Sequence, residues 1–299
     1  MTTAHVHPVI DKELVMPLAQ LITPQQLAER LETPGVVILD CRFALDDADY
    51  GQRSYAEGHI AGAQFADLER DLSGSVSKGR TGRHPLPDPA RLSARLREWG
   101  IDVDSEVVLY DDGPGLFAAR AWWLLAWLGK RDGVALLDGG LKAWHAAHLP
   151  LSLDPPAKRE GTFVGEPDPS LVIDAEHLLR RLRSPDLTLI DARALPRFRG
   201  EVEPIDPVAG HIPGAQCQAF NDNLDAEGRF LPVEQLRARF AKALAQRPAE
   251  QLVAYCGSGV SACHNLFALA LAGYPLGRLY AGSWSEWITD PQRAIATGD

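Results

Sequence analysis

The sequence is poor in the features that mark several protein classes. It has only four cysteines, Cys41, Cys217, Cys256 and Cys263, with no Cys-x-x-Cys pair, which argues against a disulfide framework and a zinc site. At least one thiol is then free to react. No run approaches the roughly 20 apolar residues that cross a bilayer. The most apolar stretch, Leu116 to Leu128, is interrupted by Arg120 and reads as a buried helix. Basic residues are in deficit, 30 Lys and Arg against 40 Asp and Glu for a formal charge of -10, which argues against a nucleic-acid partner gripped through its phosphates. Met1 to Leu14 mixes His5, His7, Asp11, Lys12 and Glu13 with no apolar core, so no secretory signal is read there and a cytoplasmic location is expected. Nothing suggests a bound cofactor or metal. The 299 residues, 45% of them hydrophobic, suffice for two domains, each expected to bury its own core.

What the chain does contain is itself, twice. Asp40 and Arg42 in Val37-Ile-Leu-Asp-Cys-Arg42 answer Asp191 and Arg193 in Leu189-Ile-Asp-Ala-Arg193. Gly58-His-Ile-Ala-Gly-Ala63 answers Gly210-His-Ile-Pro-Gly-Ala215, and Val107-Val-Leu-Tyr-Asp111 answers Leu252-Val-Ala-Tyr-Cys256. Gly139 to Trp144 answers Gly282 to Trp287. Between the copies, Pro150 to Pro169 holds five prolines and two glycines, which favours an extended linker over packed structure. The expected division is therefore residues 1–155, a linker over 156–170, and residues 171–299.

Within each copy, β-branched runs alternate with amphipathic segments, which predicts an α/β fold with a mainly parallel sheet and helices on both faces. Strands are expected at Val36 to Leu39, Glu106 to Tyr110, Val134 to Leu137, Leu187 to Ile190, Gln251 to Tyr255 and Gly277 to Tyr280. Thr23-Pro24-Gln25-Gln26 carries a helix start with a reciprocal cap, and Asp174 and Pro232 mark two more.

Matching positions read as requirements of the fold, so the mismatches are informative. Where the first copy has Asp111-Asp-Gly-Pro-Gly115, the second has Cys256-Gly-Ser-Gly-Val260. A cysteine leaving a parallel strand for a glycine-rich turn before a helix sits where open α/β folds bind ligands. Gly257 and Gly259 permit positive φ and close approach, so N–H groups can converge on the sulfur and favour the thiolate, or hold a persulfide. Cys41, Cys217 and Cys263 lie in or beside apolar elements and read as core residues; a Cys263–Cys256 disulfide under oxidation is the alternative for Cys263.

These residues together resemble the rhodanese family, specifically its tandem-domain thiosulfate and mercaptopyruvate sulfurtransferases. The resemblance covers nearly the whole chain: Gly-His-Ile-(Ala/Pro)-Gly-Ala in both halves, the Asp-x-Arg strand ends, Arg197-Phe198-Arg199-Gly200, the cysteine loop with its trailing Ala262, and the terminal Gly-x-x-x-x-Trp. It implies a catalytically silent first domain and a site between the domains. There Cys256 takes sulfur from a small donor as a persulfide and passes it to a thiol, cyanide or sulfite. Ser258 is expected to assist, and His59 to deliver a proton, although its sibling His211 leaves a turn-building role open. Gly257, Gly259, Val260, Ser261, His84 and Arg193 are expected to line the substrate site. His84 ends the basic stretch Lys78-Gly-Arg-Thr-Gly-Arg-His84, which could guide an anion.

The loop Cys-Gly-Ser-Gly-Val-Ser is that of mercaptopyruvate enzymes, whereas thiosulfate enzymes place Arg and Lys after the cysteine. Arg197 is the expected carboxylate clamp. A second arginine usual after a Glu-Pro element is replaced here, where Ile205 and Asp206 follow Glu203-Pro204, so thiosulfate stays open as donor. A Cys-x5-Arg phosphatase is disfavoured because position 262 is alanine. A sulfur-carrier or regulatory binding module without turnover is the reading from another class. A thioredoxin-like reductant as partner and a monomer or weak dimer complete the expectations.

Overall fold

The structure is a computed structural model describing residues 18–299; the reading of Met1 to Leu14 lies outside the described residues. In the first copy the strands are β1 (Gln20–Ile22), β2 (Val36–Asp40), β3 (Gln64–Phe65), β4 (Glu106–Tyr110) and β5 (Val134–Leu137), all parallel in the order β1-β5-β4-β2-β3. The helices are α1 (Pro24–Ala28), α2 (Tyr50–Glu57), α3 (Pro89–Glu98), α4 (Leu116–Trp127) and α5 (Gly140–Ala146). The second copy has α6 (Ala175–Arg181), β6 (Thr188–Asp191), α7 (Leu195–Arg199), β7 (Gln216–Cys217), α8 (Val233–Leu244), β8 (Leu252–Tyr255), α9 (Ser261–Leu271), β9 (Arg278–Leu279) and α10 (Ser283–Trp287). Its sheet runs β7-β6-β8-β9, with Val172 bridging Leu279 in parallel where the first sheet has β1.

Strand alternation sorts the side chains between two faces. Val37, Leu39, Val107 and Leu109 pack towards α3 and α4, while Ile38, Val108 and Tyr110 pack with Leu27 of α1 and Trp144 of α5. In the second copy Leu189, Val253 and Tyr255 join Leu178 of α6 and Trp284 of α10 on the outer face. The inner faces differ from the expectation of two separate cores. Helices α4 and α9 are apolar nearly all round, so both sides of each demand cover. They pack on one another and fuse the inner faces into one cluster, with Trp122 meeting Phe267 edge-on at 5.0 Å.

The proline-rich connection is extended but not loose. It forms no helix or strand between Pro155 and Asp168, yet Gly161 donates to Arg97 O at 2.8 Å and Phe163, itself buried, to Ile101 O at 3.0 Å. Any Cβ on Gly161 would lie 2.2 Å from Ile101 O, so only glycine allows this approach.

The repeated motifs form the same network in each copy. Asp40 grips Arg42, whose Nη2 donates to Gly58 O at 2.7 Å, and Tyr110 Oη donates to Asp40 while accepting from Ile60 N. Asp191, Arg193, Gly210 O, Tyr255 and Ile212 N repeat it, with the Arg193 bond to Gly210 O again 2.7 Å. A buried ion pair whose arginine also donates to one loop carbonyl fixes the crossover loop beside the strand end, which explains why both halves carry it.

Candidate active site between the two domains

The chain leaves β8 at Tyr255 and enters α9 at Ser261, so Cys256 to Val260 form a five-residue bend over the helix N-terminus. The start of α10 holds the bend: Cys256 N donates to Ser283 Oγ at 3.1 Å, while Trp284 N and Ser285 N donate to Cys256 O and Gly257 O, each at 2.9 Å. Gly259 takes φ +79, which turns its N–H onto Cys256 Sγ at 3.1 Å. Gly257 does not use positive φ. Its bare Cα leaves room for the Arg83 guanidinium, whose Nη2 would lie 2.9 Å from a Cβ there.

The first copy shows what such a bend holds. Asp111, 1% exposed, accepts from the N–H groups of Gly113, Gly115, Phe117 and Ala118 at 2.8–3.3 Å. Burial pushes its carboxyl pKa up against the pull of those four bonds. The strand-to-helix bend is thus an anion cradle, occupied by its own carboxylate in one domain. In the other the carboxylate is replaced by a thiol.

Cys256 opens onto a cleft of ≈ 200 Å³ lined by Leu45, Arg83, Leu116 and Phe117 from the first domain and by Arg193, Arg197, Ile205, Phe220 and the cysteine loop from the second. His84, buried and not among the residues that line the cleft, brings Nδ1 to 2.8 Å from the Oγ of Ser258, which does line it. Burial, then the charges of Arg120 and Arg83, lower the His84 pKa to about 3, so its imidazole is neutral at physiological pH. Arg120 reaches from α4 to the carbonyls of Leu72, His84, Pro85 and Gly259 at 3.2–3.4 Å, tying the His84 segment to the cysteine loop. Arg197 is held by Glu203, with Nη2 at 2.7 Å, and contacts Asp206 at 3.3 Å; Asp206 also pairs with Arg83.

The Rhodanese-like domain pattern matches residues 23–147 and again 174–290. The chain belongs to the rhodanese family. A protein named probable 3-mercaptopyruvate sulfurtransferase from Pseudomonas aeruginosa is 69% identical over 284 residues, covering 95% of this chain and all of that one. A relative from Mycobacterium tuberculosis, 40% identical over 93% of this chain and 97% of its own length, carries a provisional thiosulfate sulfurtransferase name. Among solved structures, 3-mercaptopyruvate sulfurtransferase from Leishmania major superposes with a TM-score of 0.79 at 30% identity, covering 91% of this chain and 75% of that one.

Within this tandem rhodanese, several expected site residues are placed otherwise, for Gly259, like His84, does not line the cleft. His59 does not reach Cys256: its ring nitrogens face Tyr55 O at 2.9 Å and Asp154 O at 3.0 Å, and it stacks on Tyr55. His211 repeats this against Phe198 O and the Phe198 ring. Both histidines staple their Gly-His-Ile turns, as a position matched in both copies should. Arg193 touches the cleft, but its three nitrogens are engaged by Asp191, Glu203 and Gly210 O. It is a strut of the repeated network, like Arg42.

Among the other thiols, burial raises Cys41 well above its ordinary value, Cys263 to about 12 and Cys217 to about 11. All four cysteines are unpaired, Cys263 donating to Gly259 O at 3.2 Å, and Cys217 is half-buried. Sequence reasoning missed Arg83 and Arg120. Arg83 lies inside the basic stretch credited to His84, and Arg120 was read only as an interruption of an apolar helix.

Two interdomain histidines make the fold acid-sensitive. Burial lowers His264, between Phe230 and Pro114 O, to about 4, and His84 to about 3. Both bind a proton more readily when unfolded, so their contribution is complete above about pH 6.5 and is lost as pH falls towards 4. Each should steepen the fall of unfolding free energy by up to about 1.4 kcal/mol per pH unit in that window. Urea melts from pH 7 to 4.5 should show a shallower slope in His264→Gln; an unchanged slope refutes the assignment.

Proposed function

We propose that this rhodanese moves the sulfur of 3-mercaptopyruvate to a thiol, cyanide or sulfite through a persulfide on Cys256. What carries the reading is one substitution in a repeated cradle: where the first domain binds its own Asp111 carboxylate, the second offers Cys256 Sγ to the Gly259 N–H and the cleft. The Cys256 thiolate attacks the donor sulfur, the S–S bond forms as the C–S bond breaks, and the electron pair leaves on pyruvate as its enolate. The enolate then takes a proton. Ser258, hydrogen-bonded to His84, can bind the donor carbonyl oxygen and the enolate oxygen that develops from it, while the proton comes from water; neutral His84 orients the hydroxyl and does not give the proton expected of His59. An acceptor nucleophile next attacks the outer sulfur and regenerates Cys256, which gives ping-pong kinetics.

The first domain, residues 1–155 in this reading, serves as a silent partner that supplies one wall of the cleft. The segment 156–170 joins it to the catalytic unit, 171–299. Four unpaired thiols suit a reducing, cytoplasmic compartment in which a thioredoxin-like dithiol could strip the persulfide. The protein is read as a monomer or weak dimer.

After brief treatment with 3-mercaptopyruvate, mass spectrometry should find one extra sulfur on the Cys256 peptide, released as thiocyanate by cyanide. Arg197→Ala should lower kcat/KM for this donor about 10–100-fold, the worth of a charged hydrogen bond. If wild-type turnover proceeds with no sulfur on Cys256, the persulfide route is wrong. If thiosulfate is the better donor and Arg197→Ala is neutral, the donor assignment fails.

A further inference from the structure

We propose that Arg83, carried by the first domain, forms with Arg197 of the second a two-sided fork for the donor's carboxylate, a role that rests on the mercaptopyruvate reading above. The backbone is threaded to deliver it. Gly82 lies so close to the turn before α10 that a Cβ would stand 2.4 Å from Gly282 O, and Arg83 N donates to Ser285 Oγ at 3.1 Å. From this anchor the guanidinium crosses to the peptide that follows the nucleophile. The point where a Gly257 Cβ would stand lies 2.9 Å from Arg83 Nη2, and 3.6 Å and 3.8 Å from Nη2 and Nη1 of Arg197. Two guanidiniums from different domains therefore flank the residue next to Cys256.

Their existing bonds leave donors to spare. Arg83 pairs with Asp206 through Nη1, its Nε is buried without a partner, and its Nη2 faces Gly257. The bonds of Arg197 use Nε and Nη2 and leave Nη1 without a hydrogen-bond partner among the described residues. The buried Asp206 carboxylate, with Oδ1 on Arg83 and Oδ2 on Arg197, sets the spacing between them and shows that one carboxylate can bridge both. A donor carboxylate lying over Gly257 would present its sulfur at Cys256, because only the carbonyl and methylene carbons separate the two groups. Bidentate recognition from two sides fixes orientation as well as charge.

The test compares 3-mercaptopyruvate with 1-mercaptopropan-2-one, which keeps the carbonyl and thiol but lacks the carboxylate. Arg83→Ala should lower kcat/KM for mercaptopyruvate about 10–100-fold, chiefly through KM, and change the neutral donor less than about 3-fold. Arg83→Lys, which keeps the charge and a pairing with Asp206, should recover part of the loss and guards against a folding defect in the alanine variant. Equal losses on both donors would make Arg83 a structural pillar and overturn the proposal, as would no loss on either. Failure of the underlying reading looks different: wild-type Cys256 would then gain no sulfur from mercaptopyruvate.

Discussion

Replacing Cys256 with serine is expected to lower sulfur transfer about 10⁴-fold or more while leaving the fold intact, as removal of a covalent nucleophile does elsewhere. Serine is nearly isosteric, and its oxygen can still accept the Gly259 N–H that now points at sulfur, so the bend should survive and the unfolding midpoint should move by less than about 0.5 kcal/mol equivalent. What is lost is the chemistry: a hydroxyl at this site is a poor nucleophile and cannot store sulfur in an S–S bond. No other thiol can substitute. Cys41 and Cys263 are buried with raised pKa values, and Cys217 is half-buried with its thiol held against Arg193 O. Steady-state thiocyanate production by Cys256→Ser, with circular dichroism and a denaturant melt as controls, checks both halves. Turnover within about tenfold of wild type would remove Cys256 from the mechanism.

The strands β2, β4, β5, β6 and β8 were legible because each is a compact, largely apolar run whose alternate residues feed two faces. Of the strands of only two or three residues, β9 falls inside the expected Gly277 to Tyr280, whereas β1, β3 and β7 carry too little pattern to show a period. Internal comparison separated the cysteine bend from the repeated framework. Asp111 against Cys256 located the cradle, whereas His59, matched by His211, was kept as a proton donor although the same rule marked it as part of the fold. The interdomain residues were illegible for a different reason. Arg83 and Arg120 are distant in sequence from the cysteine loop and meet it only through tertiary packing, Arg83 beside the start of α10 and Arg120 where α4 meets α9, which no local pattern encodes.

Arg120→Leu is expected to cost about 3 kcal/mol of stability and about 100-fold in kcat/KM, an unusually large pair of effects for a residue that touches no substrate. Arg120 is fully buried and forms no ion pair among the described residues; its charge is held by carbonyls and by the Cys263 thiol beside it. Pro85 O has a second donor in Gly74 N, and Gly259 O has the Cys263 thiol, but Leu72 O and His84 O lose their partner when the guanidinium is removed. Each orphaned carbonyl costs about 1–3 kcal/mol, partly offset because a buried cation is no longer desolvated. The activity loss follows from position. One side chain bonds both His84 O and Gly259 O, so it fixes the His84 segment relative to the residue whose N–H meets Cys256 Sγ. Its counterpart in α9, Asn265, stays within its own domain, bonding Gln218 O and Asn223. The cross-domain tie is therefore specific to the side that completes the active cleft. Denaturant melts and donor kinetics on Arg120→Leu test the two parts separately. An unchanged midpoint would show that the orphaned carbonyls find other partners, and unchanged kinetics that the cysteine loop needs no tie to the first domain.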